Sequence, residues 1–286
     1  MSRNRDRAGV HNQNVDTAPP NVMQNNNLEE FSFVIPTEFV ELPSQGRFYP
    51  EGHPLRGQSS IEIKQMTAKE EDILTSKTLL KKGIALDRAL QSVVLNKQIN
   101  VNHMLVGDRN ALIIGMRISG YSNLYETQVS CPSCGESNNY PFDLNKVNIY
   151  YGDKIGKLKI TDNEDGSFEV QLPQTKANVV FRLLTGYDEN ALLNLGGRSK
   201  RKKDGEERVI TGQLRNIIVS VNGSTSKEVL NYLIENIPSR DSRHLRMAYK
   251  AAAPTVDLTQ DFECQECDFA QEMEVPLTAD FFWPDR

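Results

Sequence analysis

The chain has 286 residues, of which 25 % are charged, and its net charge of −5 gives an isoelectric point of about 5.5. An acidic chain of this length can bury a large core, but it has no general attraction for nucleic acid or anionic membranes. It contains no apolar run of about 18 residues, and residues 1–27 lack the apolar segment of a secretory signal. Together with the cysteine usage described below, these features predict a protein of the cytoplasm with no membrane span.

The N-terminal part combines a polar tail with a loop and helices. Residues 1–28 are polar and rich in asparagine, so they cannot bury enough apolar surface to fold and are predicted to form a disordered tail. Docking of this tail on a partner is the alternative. Residues 29–130 are predicted to form an N-terminal loop and helical region. Its loop, residues 42–55, is dense in glycine and proline and contains the aromatic pair Phe48 and Tyr49.

Two helices of this region have recognisable ends. Thr67 and Glu70 have the spacing of a capping box, which predicts a helix that runs from there to Gly83. Asp108 is predicted to cap a later helix over residues 109–118. That helix is apolar nearly all round, so we expect it to be buried.

Residues 146–260 are predicted to form an inserted segment of hairpins and helices. An Asp-Gly pair at 165–166 lies between two apolar runs, 157–160 and 167–172, which is typical of a β-hairpin. The basic loop 198–207 has no aromatic residues that could stack on bases, and acidic residues follow its basic run directly. We interpret it as a solvated loop, with contact to nucleic acid or to an acidic partner surface as alternatives.

The only four cysteines form two C-x-x-C pairs, Cys131 with Cys134 and Cys264 with Cys267. A C-x-x-C turn places two thiolates on one side of a tight bend, and two such turns can supply the four sulfurs of a tetrahedral zinc site. A shift of 133 residues superposes the two pairs, and alternating apolar residues follow both. Residues 131–145 and 261–286 are therefore predicted to be the two knuckles of a split zinc ribbon.

Other roles for the cysteines remain open at this point. Disulfides need an oxidising compartment, and a thioredoxin-type redox pair needs only one C-x-x-C in a βαβ context. Free thiols are a further alternative. A catalytic zinc is disfavoured because four thiolates leave no position for water or substrate. The predicted cofactor is a structural zinc ion that clamps the two ends of a long insertion.

The sequence contains no recognisable set of catalytic residues. The four histidines lack metal-pair spacing, and the chain has no phosphate-binding loop, dinucleotide fingerprint or nucleophile elbow. We therefore expect neither an enzyme nor a small-molecule substrate. The predicted fold class is α+β, with a helical N-terminal part, a hairpin-rich insertion and a split zinc-ribbon module. The terminal aromatic residues Phe281, Phe282 and Trp283 either close the core or anchor a partner subunit.

Motifs spread over residues 40–286 carry one further signal. They are residues 42–52, 66–75, 79–83, 105–111, 117–121, 131–134, 241–243, 264–267 and 281–284. In combination they resemble the baseplate hub protein family of T4-like (T-even-type) contractile-tailed bacteriophages. The resemblance implies a late phage protein that is made in the infected bacterial cytoplasm. It implies a structural or assembly role in the central hub of the tail baseplate, in contact with other hub or tail proteins.

The family offers no catalytic residue for this chain. The resemblance implies that the four cysteines hold a metal clamp. It also implies contact surfaces at the loop with Phe48 and Tyr49 and at the C-terminal residues Phe281, Phe282 and Trp283. A zinc-ribbon nucleic-acid-binding factor is the alternative function, although the acidic composition and the single short basic run argue against it.

Overall fold

Helices and short antiparallel strands alternate along the chain in the computed structural model. The structure describes residues 35–199, 209–276 and 279–282. The predicted tail, residues 1–28, and nearly all of the predicted basic loop lie outside them. Residues 36–286 group into one unit by their contacts.

Twelve strands and eight helices are defined in the described residues. The strands are β1 (Thr37–Glu41), β2 (Ser60–Lys64), β3 (Leu124–Ser130), β4 (Ser137–Asp143), β5 (Asn148–Tyr150), β6 (Thr161–Asp162), β7 (Ser167–Gln171), β8 (Asn178–Arg182), β9 (Ile218–Val221), β10 (Thr255–Asp257), β11 (Thr259–Glu263) and β12 (Ala270–Glu274). The helices are α1 (Ala68–Thr75), α2 (Lys77–Lys82), α3 (Ala85–Val93), α4 (Val106–Gly120), α5 (Gly186–Ser199), α6 (Val209–Ile217), α7 (Lys227–Asn236) and α8 (Ser239–Ala252).

The strands form several small antiparallel sheets rather than one large one. Three two-stranded hairpins pair β1 with β2, β3 with β4 and β11 with β12, and β5 pairs with the distant β10. The insertion contributes a four-stranded sheet in the order β6-β7-β8-β9. The predicted α+β fold with several hairpins is confirmed. The segment boundaries proposed from the sequence stay predictions. One hydrophobic core includes residues from Leu42 to Phe282.

Helix α4 lies at the centre of this core, as its apolar sequence predicts. It packs against β1, α3, α5 and β10, and most of its side chains are buried. The approach to β10 depends on Gly107, because a Cβ atom there would lie 1.9 Å from the carbonyl oxygen of Pro254. A methyl group at this position would separate the helix from the chain that leads into the second cysteine pair.

The prediction that Asp108 caps helix α4 is wrong. The helix begins at Val106, and the Asp108 carboxylate is buried within its first turn. The carboxylate accepts hydrogen bonds from the backbone N–H of Ser44 at 2.9 Å, from Ser44 Oγ at 2.6 Å and from Tyr49 Oη at 2.7 Å. Tyr49 Oη also accepts the backbone N–H of Leu105 at 3.1 Å. Asp108 therefore fastens the glycine- and proline-rich loop to the central helix.

Three further boundaries differ from the sequence prediction. The first predicted helix is split into α1 and α2 by extended backbone at Ser76, and α2 has no buried residue. The sequence also predicts a helix over residues 188–195 that ends at the glycine pair 196–197, but α5 continues to Ser199 because glycine weakens a helix without forbidding it. The hairpin around the Asp-Gly pair forms, but β6 replaces the predicted strand 157–160, since Lys154–Leu158 is a 3-10 helix.

The predicted capping box at Thr67 is confirmed and is extended by two more contacts. Glu70 is 0 % exposed and accepts hydrogen bonds from the backbone N–H of Thr67 at 3.0 Å and from its Oγ1 at 2.6 Å. Glu70 also accepts hydrogen bonds from Lys64 Nζ at 2.8 Å and from Ser92 Oγ at 2.5 Å. Burial alone would raise the pKa of Glu70, but the hydrogen bonds from Lys64, Ser92 and Thr67 outweigh it and lower the pKa to about 2. This carboxylate ties β2, α1 and α3 together.

Candidate metal centre

The first knuckle connects β3 to β4 by a tight turn. The strands pair from Leu124 opposite Asp143 to Ser130 opposite Ser137. In the turn, the backbone N–H of Cys131 donates to Glu136 O at 2.8 Å, and the N–H of Gly135 donates to Cys131 O at 2.9 Å. Gly135 has a φ of +79°, which glycine adopts without strain.

The second knuckle repeats this turn 133 residues later. The N–H of Cys264 donates to Phe269 O at 2.9 Å, and the N–H of Asp268 donates to Cys264 O at 3.2 Å. Asp268 has a φ of +55° at the position of Gly135, and β11 pairs with β12 in the same register as β3 with β4. The internal repeat found in the sequence is therefore a repeat of structure.

The two knuckles meet and bring all four sulfur atoms together. The four Sγ atoms lie within 4.8 Å of one another, with Cys131 and Cys267 at 3.7 Å and Cys134 and Cys264 at 3.8 Å. A tetrahedral zinc site with Zn–S distances of about 2.3 Å has sulfur–sulfur edges of about 3.8 Å. Each short contact joins one knuckle to the other, and no two of these sulfurs are bonded. The cluster therefore has the donor set and the spacing of a four-thiolate metal site.

The thiols do not have equal pKa values. The pKa of Cys131 is lowered to about 7 by donors that stabilise its thiolate. The largest effect comes from the backbone N–H of Cys134, and other N–H and thiol donors add to it. The N–H of Glu136 acts to lower the pKa of Cys134, but desolvation and the neighbouring sulfurs outweigh it and raise the pKa to about 12. Four adjacent thiolates repel one another in the absence of a cation, and a divalent metal would remove that repulsion.

Sequence reasoning missed one residue beside the cluster. Asn138 is buried on β4, and its Nδ2 lies 3.5 Å from Cys264 Sγ and 3.4 Å from the carbonyl oxygen of Glu136. The side-chain amide thus donates across the interface between the knuckles to a sulfur of the other pair. Such contacts around a metal orient the ligands and compensate their charge. A buried asparagine seven residues after a cysteine carries no local signal, so only the fold reveals it.

Contacts beyond the sulfurs also join the two hairpins. Gln260 Oε1 accepts the backbone N–H of Asp143 at 3.2 Å, and Gln260 Nε2 donates to Asp143 O at 2.9 Å. Tyr140 Oη donates to Asp261 O at 3.1 Å, and its ring centroid lies 5.1 Å from that of Phe262. These contacts hold the two hairpins of the zinc-ribbon-like module together beside the cluster.

The predicted contact residues Phe48 and Tyr49 are turned inward. Phe48 is 7 % exposed, and its ring centroid lies 5.4 Å from that of Phe168 in the four-stranded sheet. Tyr49 is 2 % exposed and is held by Asp108. Because both rings are used inside the chain, their burial argues against the predicted direct contact with a partner.

The C-terminal aromatic residues also close the core. Phe281 and Phe282 are 3 % and 7 % exposed, and the Phe281 ring packs edge-on against Tyr125 at 5.0 Å. The buried guanidinium of Arg117 donates from Nε to Phe281 O at 2.6 Å. The partner role predicted for Phe281 and Phe282 is thus disfavoured by their burial in the core, and Trp283 lies outside the described residues.

No helix among the described residues has the length and apolar character needed to cross a membrane. Comparison of the chain with curated proteins and with solved structures gives no significant match. A family model described as T4 bacteriophage base plate protein matches residues 35–283, which include both cysteine pairs and the whole insertion between them. The chain belongs to the T4 bacteriophage base plate protein family.

Proposed function

We propose that this base plate protein acts in the central hub of the phage tail, as a structural or assembly component that works through protein–protein contacts. The observation that carries the proposal is the family match over residues 35–283. The motifs that resemble the hub proteins in particular lie inside this range, except for Pro284 at the end of the last motif. Other hub or tail proteins are the proposed partners, and the tail base plate or the host cytoplasm during assembly is the proposed location.

We further propose that the four cysteines hold one structural zinc ion. Four thiolates would complete its coordination, so the ion would bind neither water nor substrate. Its chemistry would be confined to holding the two knuckles together and neutralising their thiolates. Binding free energy at such a site counts as folding free energy, because the unfolded chain does not preform it. This reading supports a scaffold rather than an enzyme.

The motifs that resemble the hub family pair with one another inside the fold. Ser44 and Tyr49 of the loop motif bind Asp108 of the helix motif. Arg117 of the next motif binds the backbone of Phe281 in the C-terminal motif. These residues therefore maintain the shape of the protein, and partner contact at the loop and C-terminal motifs stays a prediction.

Quantitative mass spectrometry of purified phage, of isolated hub subassemblies and of tail-assembly intermediates tests the proposed location. A fixed copy number in the hub subassembly of mature tails would support a hub component. Presence in hub intermediates alone would support an assembly factor of the hub. Recovery only with the outer parts of the base plate, or absence from every fraction, would overturn the hub proposal.

The net charge of −5 argues against the alternative of a nucleic-acid-binding zinc ribbon. A filter-binding titration against salt would detect it, because phosphate contacts make affinity fall steeply as salt rises. Salt-dependent binding to DNA at micromolar concentration would count against a purely structural role.

A further inference from the structure

Helix α8 has a basic outer face that the proposed function does not use. Its exposed side chains include Arg240, Arg243, Arg246 and Lys250, with the half-exposed Met247 among them. At about 100° per residue these five positions fall within an arc of about 120°, and they extend over about 15 Å of helix. We call this face the α8 stripe. None of its basic groups forms an ion pair with another residue of the described chain.

Neighbouring residues extend the same positive surface. The 3-10 helix Lys154–Leu158 packs against α8, and Lys154, Lys157 and Lys159 are exposed on or beside it. The exposed Asp257 interacts electrostatically with Lys250 and Lys154, but basic groups outnumber it on this surface of a chain whose net charge is −5. Such a surface is suited to an acidic partner.

The second zinc-ribbon hairpin is the matching acidic surface on the same chain. Its strands expose Asp261, Glu263, Glu272 and Glu274, and no lysine, arginine or histidine occurs between residues 251 and 285. We call these four carboxylates the hairpin face. Asp261 lies directly opposite Glu272 in the strand pairing, where like charges destabilise a sheet. A cationic partner surface would relieve that repulsion.

The first hairpin shows that the zinc-ribbon fold does not require these charges. The internal repeat places Gln128 where the second hairpin has Asp261, and Asn139 where it has Glu272. Gln128 and Asn139 are likewise exposed and lie opposite each other. The same backbone and register therefore carry neutral amides in one copy and carboxylates in the other, so the acidic character belongs to the surface and not to the fold.

We propose that this chain associates head to tail with a second copy of itself, the α8 stripe of one copy seated on the hairpin face of the next. The two surfaces have opposite charge and similar length, since a strand of five residues spans about 16 Å. They form no ion pair with each other within the described chain. Such a contact joins different patches on the two copies, so it builds a ring or a linear array unless two copies pair reciprocally in a closed dimer.

Sedimentation velocity of the full-length, metal-loaded chain tests the proposal. We expect self-association in about 0.02 M salt and its loss in about 0.5 M salt, because the screening length falls from about 20 Å to about 4 Å. Charge reversal on the stripe, Arg243→Glu with Arg246→Glu, should weaken association at least about tenfold. Reversal on the hairpin face, Asp261→Lys with Glu272→Lys, should have the same effect.

Mixing the two variants separates loss of the contact from loss of the fold. Two reversals leave each altered surface with two positive and two negative side chains, so each variant should be monomeric alone. The mixture should form one-to-one complexes, because the unaltered stripe of one variant can still bind the unaltered hairpin face of the other. The matched control is Gln128→Lys with Asn139→Lys on the first hairpin, which should leave association unchanged.

The result that overturns the proposal is a wild-type chain that stays monomeric at about 100 μM in low salt. Association that is equally strong in low and high salt also overturns the proposal. So does a mixture of the two charge-reversal variants that stays monomeric. A monomer whose α8 stripe binds DNA or anionic vesicles would assign the stripe to another partner. This inference does not depend on the hub location, and a self-associating chain found outside the hub would leave it intact.

Discussion

Removal of the first cysteine pair should disrupt the fold, because the cluster closes a long loop of the chain. Replacing Cys131 and Cys134 by serine leaves two sulfurs, which cannot complete a four-thiolate site. A cross-link between residue 131 and residue 264 closes a loop of about 133 residues, for which the chain-entropy relation gives about 5 kcal/mol at 25 °C. Domains are stable by about 5–15 kcal/mol in total, so this loss alone would leave the chain close to unfolding.

Thermal unfolding followed by circular dichroism, together with metal analysis of the purified chain, measures this effect. We expect about one zinc ion per wild-type chain, none in the double variant, and a similar drop in melting temperature when a chelator strips the wild type. The matched control is Ser133→Ala, which changes an exposed side chain of the same turn and keeps the backbone N–H that lies 3.4 Å from Cys131 Sγ. A wild-type melting temperature that a chelator does not change would refute the reasoning.

Three smaller perturbations have defined outcomes. Glu70→Gln should lower the free energy of unfolding by up to about 3 kcal/mol above pH 4.5. The fold lowers the pKa of Glu70 from 4.5 to about 2, so its ionised carboxylate stabilises the fold above pH 4.5. This stabilisation is lost as the pH falls towards 2. In urea unfolding, the difference in unfolding free energy between this variant and the wild type should be smaller at pH 3 than at pH 7. An equal difference at both pH values would contradict the role given to Glu70. Gly107→Ala should cost about 1–3 kcal/mol by forcing α4 from β10, while Gly156→Ala, which meets open space, should be neutral. Asn138→Leu should weaken zinc affinity about 10–100-fold in a competition titration with a chelator, and the exposed neighbour substitution Asn139→Leu should not.

Burial of the aromatic motifs changes where partner contacts are to be sought. Aromatic residues concentrate binding energy at interfaces, which made Phe48 and Phe281 reasonable candidates from the sequence. The structure uses both rings to fill the core. The exposed charges on α8 and on the second hairpin are additional candidates, and among them only Arg243 lies in a motif that resembles the hub family, residues 241–243.

Features governed by a few neighbouring residues could be predicted from the sequence alone. The C-x-x-C turns, the capping box at Thr67 and the hairpin turn at 165–166 depend on the conformations of adjacent residues and on hydrogen bonds within a few positions. The repeat at an offset of 133 residues was also visible, because both knuckles use the same turn and the same strand alternation.

Tertiary structure decided whatever depends on a partner far along the chain. Asp108 has the sequence context of a helix cap, yet Ser44 and Tyr49, about 60 positions earlier, draw its carboxylate into the core. Asn138 lies beside Cys264 only because the two knuckles pack against each other. Local sequence determines which turns and caps are available, whereas burial, long-range hydrogen bonds and the pairing of the knuckles follow from how distant segments pack. The four-cysteine cluster needed both: the sequence supplied two matched pairs of ligands, and packing brought their sulfur atoms within 4.8 Å of one another.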